Sequence, residues 1–295
     1  MMTGAVRLRI LLISLLMSLM PIAAVCRAED RGPAGYVADI ALQGADANAG
    51  TAVIRDGEEM KPKLMMPLFD GDVVFVRDPR SRIELELDGG QTVVVGDGRS
   101  RHMMAGEIDT GDGTWGLIAA LGNVFAGEDE PAPENMVSKG GDLKVAMALR
   151  TGNMVLREQG ALWLGWTGGT APYAIGLVVD GAEREVVSGL QNPEASVPIA
   201  HIQQGMFTLI VHDARQQRVR IGFRFGDAMP EFPSAMERLL RTKTRDLALA
   251  AWLTTVGNGR WTVQAAQILQ RHASSEAEAL LKKLTKGWTL DLASR

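Results

Sequence analysis

The chain has 295 residues, 46% apolar and 22% charged, with 31 basic against 35 acidic side chains and a formal net charge of −4. That length suits two compact units and a tail, because single cores stop growing beyond roughly 200 residues. The acidic balance excludes nucleic acid and anionic lipid as main partners, since both are held by dense basic patches.

The first 28 residues place Arg7 and Arg9 ahead of an apolar run from Ile10 to Met20, followed by Pro21 and small residues up to Ala28. This is the layout of a secretory signal peptide, so cleavage after Ala28 and Sec-type export to the periplasm are expected. As an anchor the run is near the lower limit of about 17 residues for crossing a bilayer, and it contains Pro21. As a lipidation site, Cys26 follows Val25, which is bulkier than lipoprotein signals carry there. Membrane attachment is therefore expected only if the segment stays uncleaved or Cys26 is lipidated. Cleavage would remove Arg7, Arg9 and Arg27, leaving 28 basic against 35 acidic residues, together with the sole cysteine. A thiol-free chain loses nothing in an oxidising compartment.

From Tyr36 to about Phe125 short runs alternate apolar and polar residues between Gly and Asp: Thr51–Arg55, Gly71–Val76, Arg82–Asp88 and Thr92–Val95. Period two with β-branched residues predicts strands, and the absence of helical spacing predicts an all-β domain over 35–126. GEDEPAPENMVSKGG, at 127–141, combines acidic residues, two prolines and a Gly pair without periodicity, which predicts a linker. Strands return at Lys144–Leu149, Ala161–Trp166, Tyr173–Val179, Glu185–Val187, Met206–His212 and Val219–Phe225, with Asp180 and Gly181 spaced for a tight hairpin. An immunoglobulin-like β-sandwich over 142–226 follows.

After Pro230 and Pro233 the composition turns to Leu, Ala, Arg and Lys. Met236, Leu240, Leu247 and Ala251 recur at helical spacing, so one amphipathic helix is predicted over Ser234–Val256, stopped by Gly257, Asn258 and Gly259. A second helix is predicted over Thr262–His272. A third starts at Ser275, with Ser275 and Glu278 as a capping box. Such short helices must pack on one another and on the sandwich. The fold class is thus mainly β with an α-helical C-terminal tail at 230–295.

The series Val53, Ile54, Arg55 and Gly57, then Leu68, Gly71, Asp72 and Val73, then Ser81, Ile83, Leu85, Leu87, Asp88 and Gly89, then Val93 and Val95, resembles the FecR-type periplasmic domain. The likeness covers Gly35 to His102. It departs from the pattern at Arg77, Asp78, Pro79 and Arg80, and at Gly90, where the family carries Ser or Thr. The best-known proteins with this domain carry a cytoplasmic anti-sigma segment, which the few residues before the apolar run do not supply. What the resemblance implies is an exported β-domain used for protein or envelope contacts. LWLGWTGGTAPYAIGLV and GMFTLIVHDARQQRVRIGFRF are similar to strands of bacterial immunoglobulin-like sandwiches, a likeness of fold that carries no function.

Motifs for chemistry are weak. His102, His201, His212 and His272 have no spacing that would place two on one face as metal ligands. DTGDGTWG, at 109–116, lacks the third acidic position and the terminal bidentate Glu of a calcium loop, and Trp115 in it reads as packing or contact. No G-x-S-x-G occurs, and the glycines of WTGGT are followed by no Lys-Ser/Thr of a phosphate loop. Trp163 and Trp166 stand three apart, one expected in the core and the other open to a ligand-stacking role. The expectation is a non-enzymatic Gram-negative envelope protein without cofactors or metals. It would bind an envelope protein through Arg77, Arg80, Arg82 and Trp115. The alternative is a peptidoglycan- or carbohydrate-binding module with a glycan on an exposed aromatic; a sensor in a signalling or secretion system and a cryptic hydrolase are weaker readings.

Overall fold

The computed structural model describes residues 33–42, 50–87, 91–96, 99–105, 118, 121–122, 141–149, 151–158, 160–233, 237 and 242–290. The expected leader, the linker up to residue 140, Trp115 and its Gly-rich loop, and the start of the first predicted helix lie outside them.

The N-terminal part contains strands β1 (Pro33–Ala41), β2 (Thr51–Arg55), β3 (Glu58–Met60), β4 (Pro67–Phe69), β5 (Val73–Val76), β6 (Arg82–Leu87), β7 (Thr92–Val95) and β8 (Arg101–Met103). They form two four-stranded antiparallel sheets, ordered β4-β1-β6-β7 and β3-β2-β5-β8. Asp56 and Gly57, both at positive φ, turn β2 into β3, as the primed turn of a two-residue hairpin requires.

β5 and β6 look like two arms of a hairpin in the sequence, but they do not pair. β5 lies between β2 and β8, and β6 lies between β1 and β7 in the other sheet. The segment between them is a corner: Ser81 N–H donates to Asp78 O (3.0 Å) across Pro79, and Asp78 Oδ1 accepts from Arg80 N–H (2.9 Å). Proline fixes the φ that such a turn needs at its second position, and Asp suits the first. Val37, Leu68, Ile83 and Leu85 from one sheet meet Val53, Val74 and Val76 from the other in a buried core. Tyr36 and Ala38, on the opposite face of β1, join Leu64, Met65, Ile118 and Leu121 in a cluster continuous with the core of the second unit.

That unit has β9 (Asn153–Leu156), β10 (Ala161–Gly165), β11 (Tyr173–Val179), β12 (Ala182–Leu190), β13 (Glu194–Pro198), β14 (Met206–His212) and β15 (Arg218–Gly226). One sheet runs β12-β11-β14-β15-β9, with β9 parallel to β15, and the other pairs only β10 with β13. Taking β10 to β15 as strands B, C, C′, E, F and G puts C′, C, F and G in one sheet and B and E in the other, an immunoglobulin-type connectivity. The predicted hairpin at Asp180–Gly181 is present, both residues having positive φ.

One strand prediction fails, and one strand goes unforeseen, for local reasons. Lys144–Leu149 is no strand; Lys144 makes an isolated bridge to Thr167, and the Asn153 side chain takes both the N–H (2.9 Å) and the C=O (2.7 Å) of Leu149. β13 has only Ala195 and Val197 buried between polar residues, which left too short an alternation to be read.

Helices α1 (Thr242–Leu253), α2 (Thr262–Gln270) and α3 (Ser275–Thr285) complete the chain. α1 is not amphipathic where its side chains are described: Leu247 to Ala251 are all buried, because α1 packs on α2 within the core. The helix ends at Leu253, three residues short of the predicted Val256, in turns where Thr254 and Thr255 N–H donate to Ala251 and Trp252 C=O, and Gly257, Asn258 and Gly259, all at positive φ, follow. α2 buries Thr262 to Gln267 without a break, being held between α1, α3 and the edges of β9 and β10. α3 buries Ala277, Leu280 and Leu284 and carries Glu276 and Glu278 in its first turn and Lys282 and Lys283 in its last, matching the helix dipole. Its cap is Ser274, which accepts from Ala277 N–H (3.2 Å), rather than the predicted Ser275. Among the described residues no helix is long and apolar enough to cross a membrane.

α2 does more than cover the sandwich. Gln267 accepts from Trp163 N–H (2.7 Å) and donates to Trp163 C=O (2.8 Å), standing in for a neighbouring strand at the edge of β10. Gln264 accepts from Leu156 N–H (3.0 Å) at β9 in the same way. Buried polar groups of this kind are stable only when paired, so each glutamine fixes where the helix sits.

Candidate binding surfaces

The residues that carry the FecR-type likeness take structural positions. Arg55 Nη2 and Nε donate to the two oxygens of Asp72 (2.7 and 3.0 Å), Asp72 Oδ2 also accepts from Phe69 N–H (2.9 Å), and Arg55 Nη2 donates to Pro67 C=O (2.8 Å). The pair ties the end of β2 to the turn that launches β5. A bidentate guanidinium–carboxylate bond fixes direction as well as distance.

Arg77, Arg80 and Arg82 sit at the β5–β6 corner, all three exposed. Arg77 is held by Glu59 (2.9 Å) and Arg80 by Asp78 (3.0 Å), while Arg82 has no side-chain partner among the described residues. Its hydrogen bond to Arg80 holds the Asp78 carboxyl below the usual carboxylate range. Two of the three charges are therefore already answered within the corner. Trp115 cannot be placed beside them, since it lies outside the described residues.

A larger charged surface lies on the outer face of the five-stranded sheet. Tyr173, Ile175 and Leu177, Phe207, Leu209 and Val211, and Ile221 and Phe223 alternate inward. The alternate positions outward carry Glu183 and Glu185 on β12, Gly176 on β11, His212 on β14, and Arg218, Arg220 and Arg224 on β15. Glu183, Gly176, His212 and Arg218 line a shallow cleft of about 390 Å³. Glu183 and His212 belong to strands separated by β11, yet Glu183 Oε1 and His212 Nε2 are 2.8 Å apart. The carboxylate reaches across because residue 176 is Gly: a Cβ there would lie 2.6 Å from Glu183 Oε1.

On the basic side of this face Arg224 rests on the exposed Met206, with Nη2 3.6 Å from Sδ. Arg218 and Arg220 have no carboxylate or hydrogen-bond partner for their guanidinium groups among the described residues. Successive outward positions on a strand stand about 7 Å apart, so the pair presents two evenly spaced cations on a rigid support. The alternation of Arg with apolar residues in RVRIGF was legible as a strand; nothing in it distinguished a solvated edge from a docking surface.

The other polar candidates are structural. Asp213, buried, accepts from Thr170, Arg215 and Gln217 N–H (2.9, 2.9 and 2.8 Å) and ties the β14–β15 turn to the turn before β11. Tyr173 O–H donates to Gly168 C=O (3.0 Å), and burial together with the Asp213 carboxylate pushes its phenol up. His272 binds Asp246 (2.8 Å), joining the α2–α3 loop to α1. His102 is pushed down by burial and by Arg99. Trp163 and Trp166 are both buried, Trp166 fully and Trp163 with one edge lining a cleft. No three His, Asp or Glu side chains cluster as metal ligands among the described residues.

No family model matches the chain, and no curated protein matches it either.

Proposed function

We propose that this protein is an exported, non-enzymatic component of the cell envelope that binds another protein, with a FecR-type domain at its N-terminal end. The observation that carries the reading is the outer face of β15. In a chain of net negative charge, Arg218 and Arg220 stand on the same outward face of β15, and among the described residues no carboxylate forms an ion pair with either guanidinium. A partner with acidic groups gains electrostatic attraction there without any rearrangement of the backbone, and complementary charge sets association rate and specificity. The β5–β6 corner with Arg77, Arg80 and Arg82 is a second contact in the same reading, weaker because two of its cations are paired.

Crosslinking in intact cells followed by mass spectrometry tests this. An Arg218→Glu/Arg220→Glu variant is expected to lose the captured protein while keeping its unfolding midpoint. Undiminished capture by the folded variant would overturn the proposal. The N-terminal peptide from the same sample reads whether the chain begins at Glu29.

A further inference from the structure

A second cleft, of about 630 Å³, lies between the 146–149 segment, the α1–α2 turn and the 287–290 tail. Its volume falls within the roughly 300–1,000 Å³ of small-ligand sites. In a chain with 22% charged residues, no charged side chain lines it among the described residues.

The wall contains Trp288. Trp163, Trp166 and Trp261 are buried, and Trp252 is engaged edge-on with Phe232 at 5.5 Å. Trp288 is half-buried, with no aromatic partner among the described residues, and faces a cleft. Around it stand hydroxyl and amide groups in defined states. Thr255 and Thr262 each donate their hydroxyl proton to a backbone carbonyl, of Trp252 and Gly259 (both 2.8 Å), so their oxygens are left as acceptors. The Asn258 amide and the Thr289 hydroxyl have no partner among the described residues and offer both donors and acceptors. Asn258 is held in the left-handed region (φ 58°) between two glycines that share it, which fixes the turn that carries its amide.

We infer that this cleft binds a neutral saccharide, one ring stacked on Trp288 and its hydroxyl groups donating to Thr255 and Thr262 while Asn258 pairs with a ring substituent. A sugar ring has an apolar face and a hydroxylated edge, and the cleft offers an aromatic face and an uncharged polar edge. A charged ligand would find no counter-ion among the described residues. An extended peptide would need free backbone groups along 146–149, but Ala148 N–H already donates to Val145 C=O (3.2 Å) and the Asn153 side chain occupies both groups of Leu149. The inference does not depend on the arginine face and stands or falls separately from it.

The test is calorimetric titration of the whole chain with three probes: the neutral tetramer of N-acetylglucosamine, neutral cellotetraose, and acidic tetragalacturonate. Saturable binding of at least one neutral tetramer with a Kd below about 1 mM, and at least tenfold weaker binding of the acidic one, is expected; which neutral tetramer wins reports whether an N-acetyl group is recognised. Trp288→Ala should weaken binding at least tenfold. Because Trp288 also touches the core, Asn258→Asp supplies a second variant that tolerates the left-handed backbone; it should weaken binding at least threefold with an unchanged unfolding midpoint. Failure of both neutral tetramers to bind in that range, equal binding of the acidic tetramer, or unchanged affinity in a folded variant of either residue would overturn the inference.

Discussion

Asp72 holds the Arg55 guanidinium with both carboxylate oxygens, from a position only 2% exposed, while the same guanidinium lies 4.4 Å over the Phe69 ring. The pair thus joins the end of β2 to the turn between β4 and β5. Removing one partner from such a pair leaves the other charged and poorly solvated, at a cost of about 3 kcal/mol. Asp72→Ala also orphans Phe69 N–H. Urea unfolding should show a loss of about that size, and a loss below about 1 kcal/mol would show that the pair is not a structural tie.

Gln267 makes a different kind of tie. Gln267→Leu keeps the volume but leaves the N–H and C=O of Trp163 unpaired in a buried site. An orphaned buried polar group costs roughly 1–3 kcal/mol, so a destabilisation of about 3 kcal/mol is expected by chemical unfolding. Exchange of the Trp163 amide should accelerate in parallel, which a loss of helix packing alone would not single out.

Tyr173 gives the alkaline limit a defined sign. A phenol whose folded pKa lies above its ordinary value binds its proton more tightly in the native state than in the unfolded chain. Its contribution is fully present below pH of about 10 and is lost as pH rises through the folded pKa. Stability should therefore decline above pH of about 10, and Tyr173→Phe should flatten that decline even though it loses the bond to Gly168 C=O. A variant with the same alkaline slope as the natural chain would assign the decline elsewhere.

Gly176→Ala places a methyl group against the tip of Glu183, a flexible side chain that can swing away at little cost. The expected result is a nearly unchanged unfolding midpoint with loss of the Glu183–His212 hydrogen bond, read as a changed Nε2 resonance of His212. A large loss of stability would instead show that Glu183 is pinned.

The triple variant Arg77→Ala/Arg80→Ala/Arg82→Ala tests the corner. Its side chains are exposed and the Asp78 turn holds through backbone and Pro79, so the unfolding midpoint should not move. If crosslinking to the partner is also unchanged, the corner has no share in binding.

Periodicity was a good guide where each residue's neighbours along the chain decide its conformation. Asp56–Gly57, Asp180–Gly181 and Gly257–Gly259 were readable because left-handed backbone selects few residue types. β5 and β6 were readable as strands but not as members of different sheets, since pairing depends on the corner between them and that corner looks like a hairpin loop in one dimension. The 144–149 segment was misread because its hydrogen bonds go to a side chain four residues beyond it. The partners of Gln264 and Gln267 lie 108 and 104 positions away, which no local pattern encodes. The arginine face and the Trp288 cleft were missed for the same reason: their members are ordinary residues until the fold assembles them.

The two glutamines of α2 also set an order of events. β9 and β10 are made long before the side chains that complete their edges, so during synthesis the backbone groups of Leu156 and Trp163 wait for their partners until the chain has passed residue 267. Closure at such separation in sequence carries a large loop entropy and is slow. α2 thus acts as a latch on the edges of β9 and β10, which it closes only when it docks.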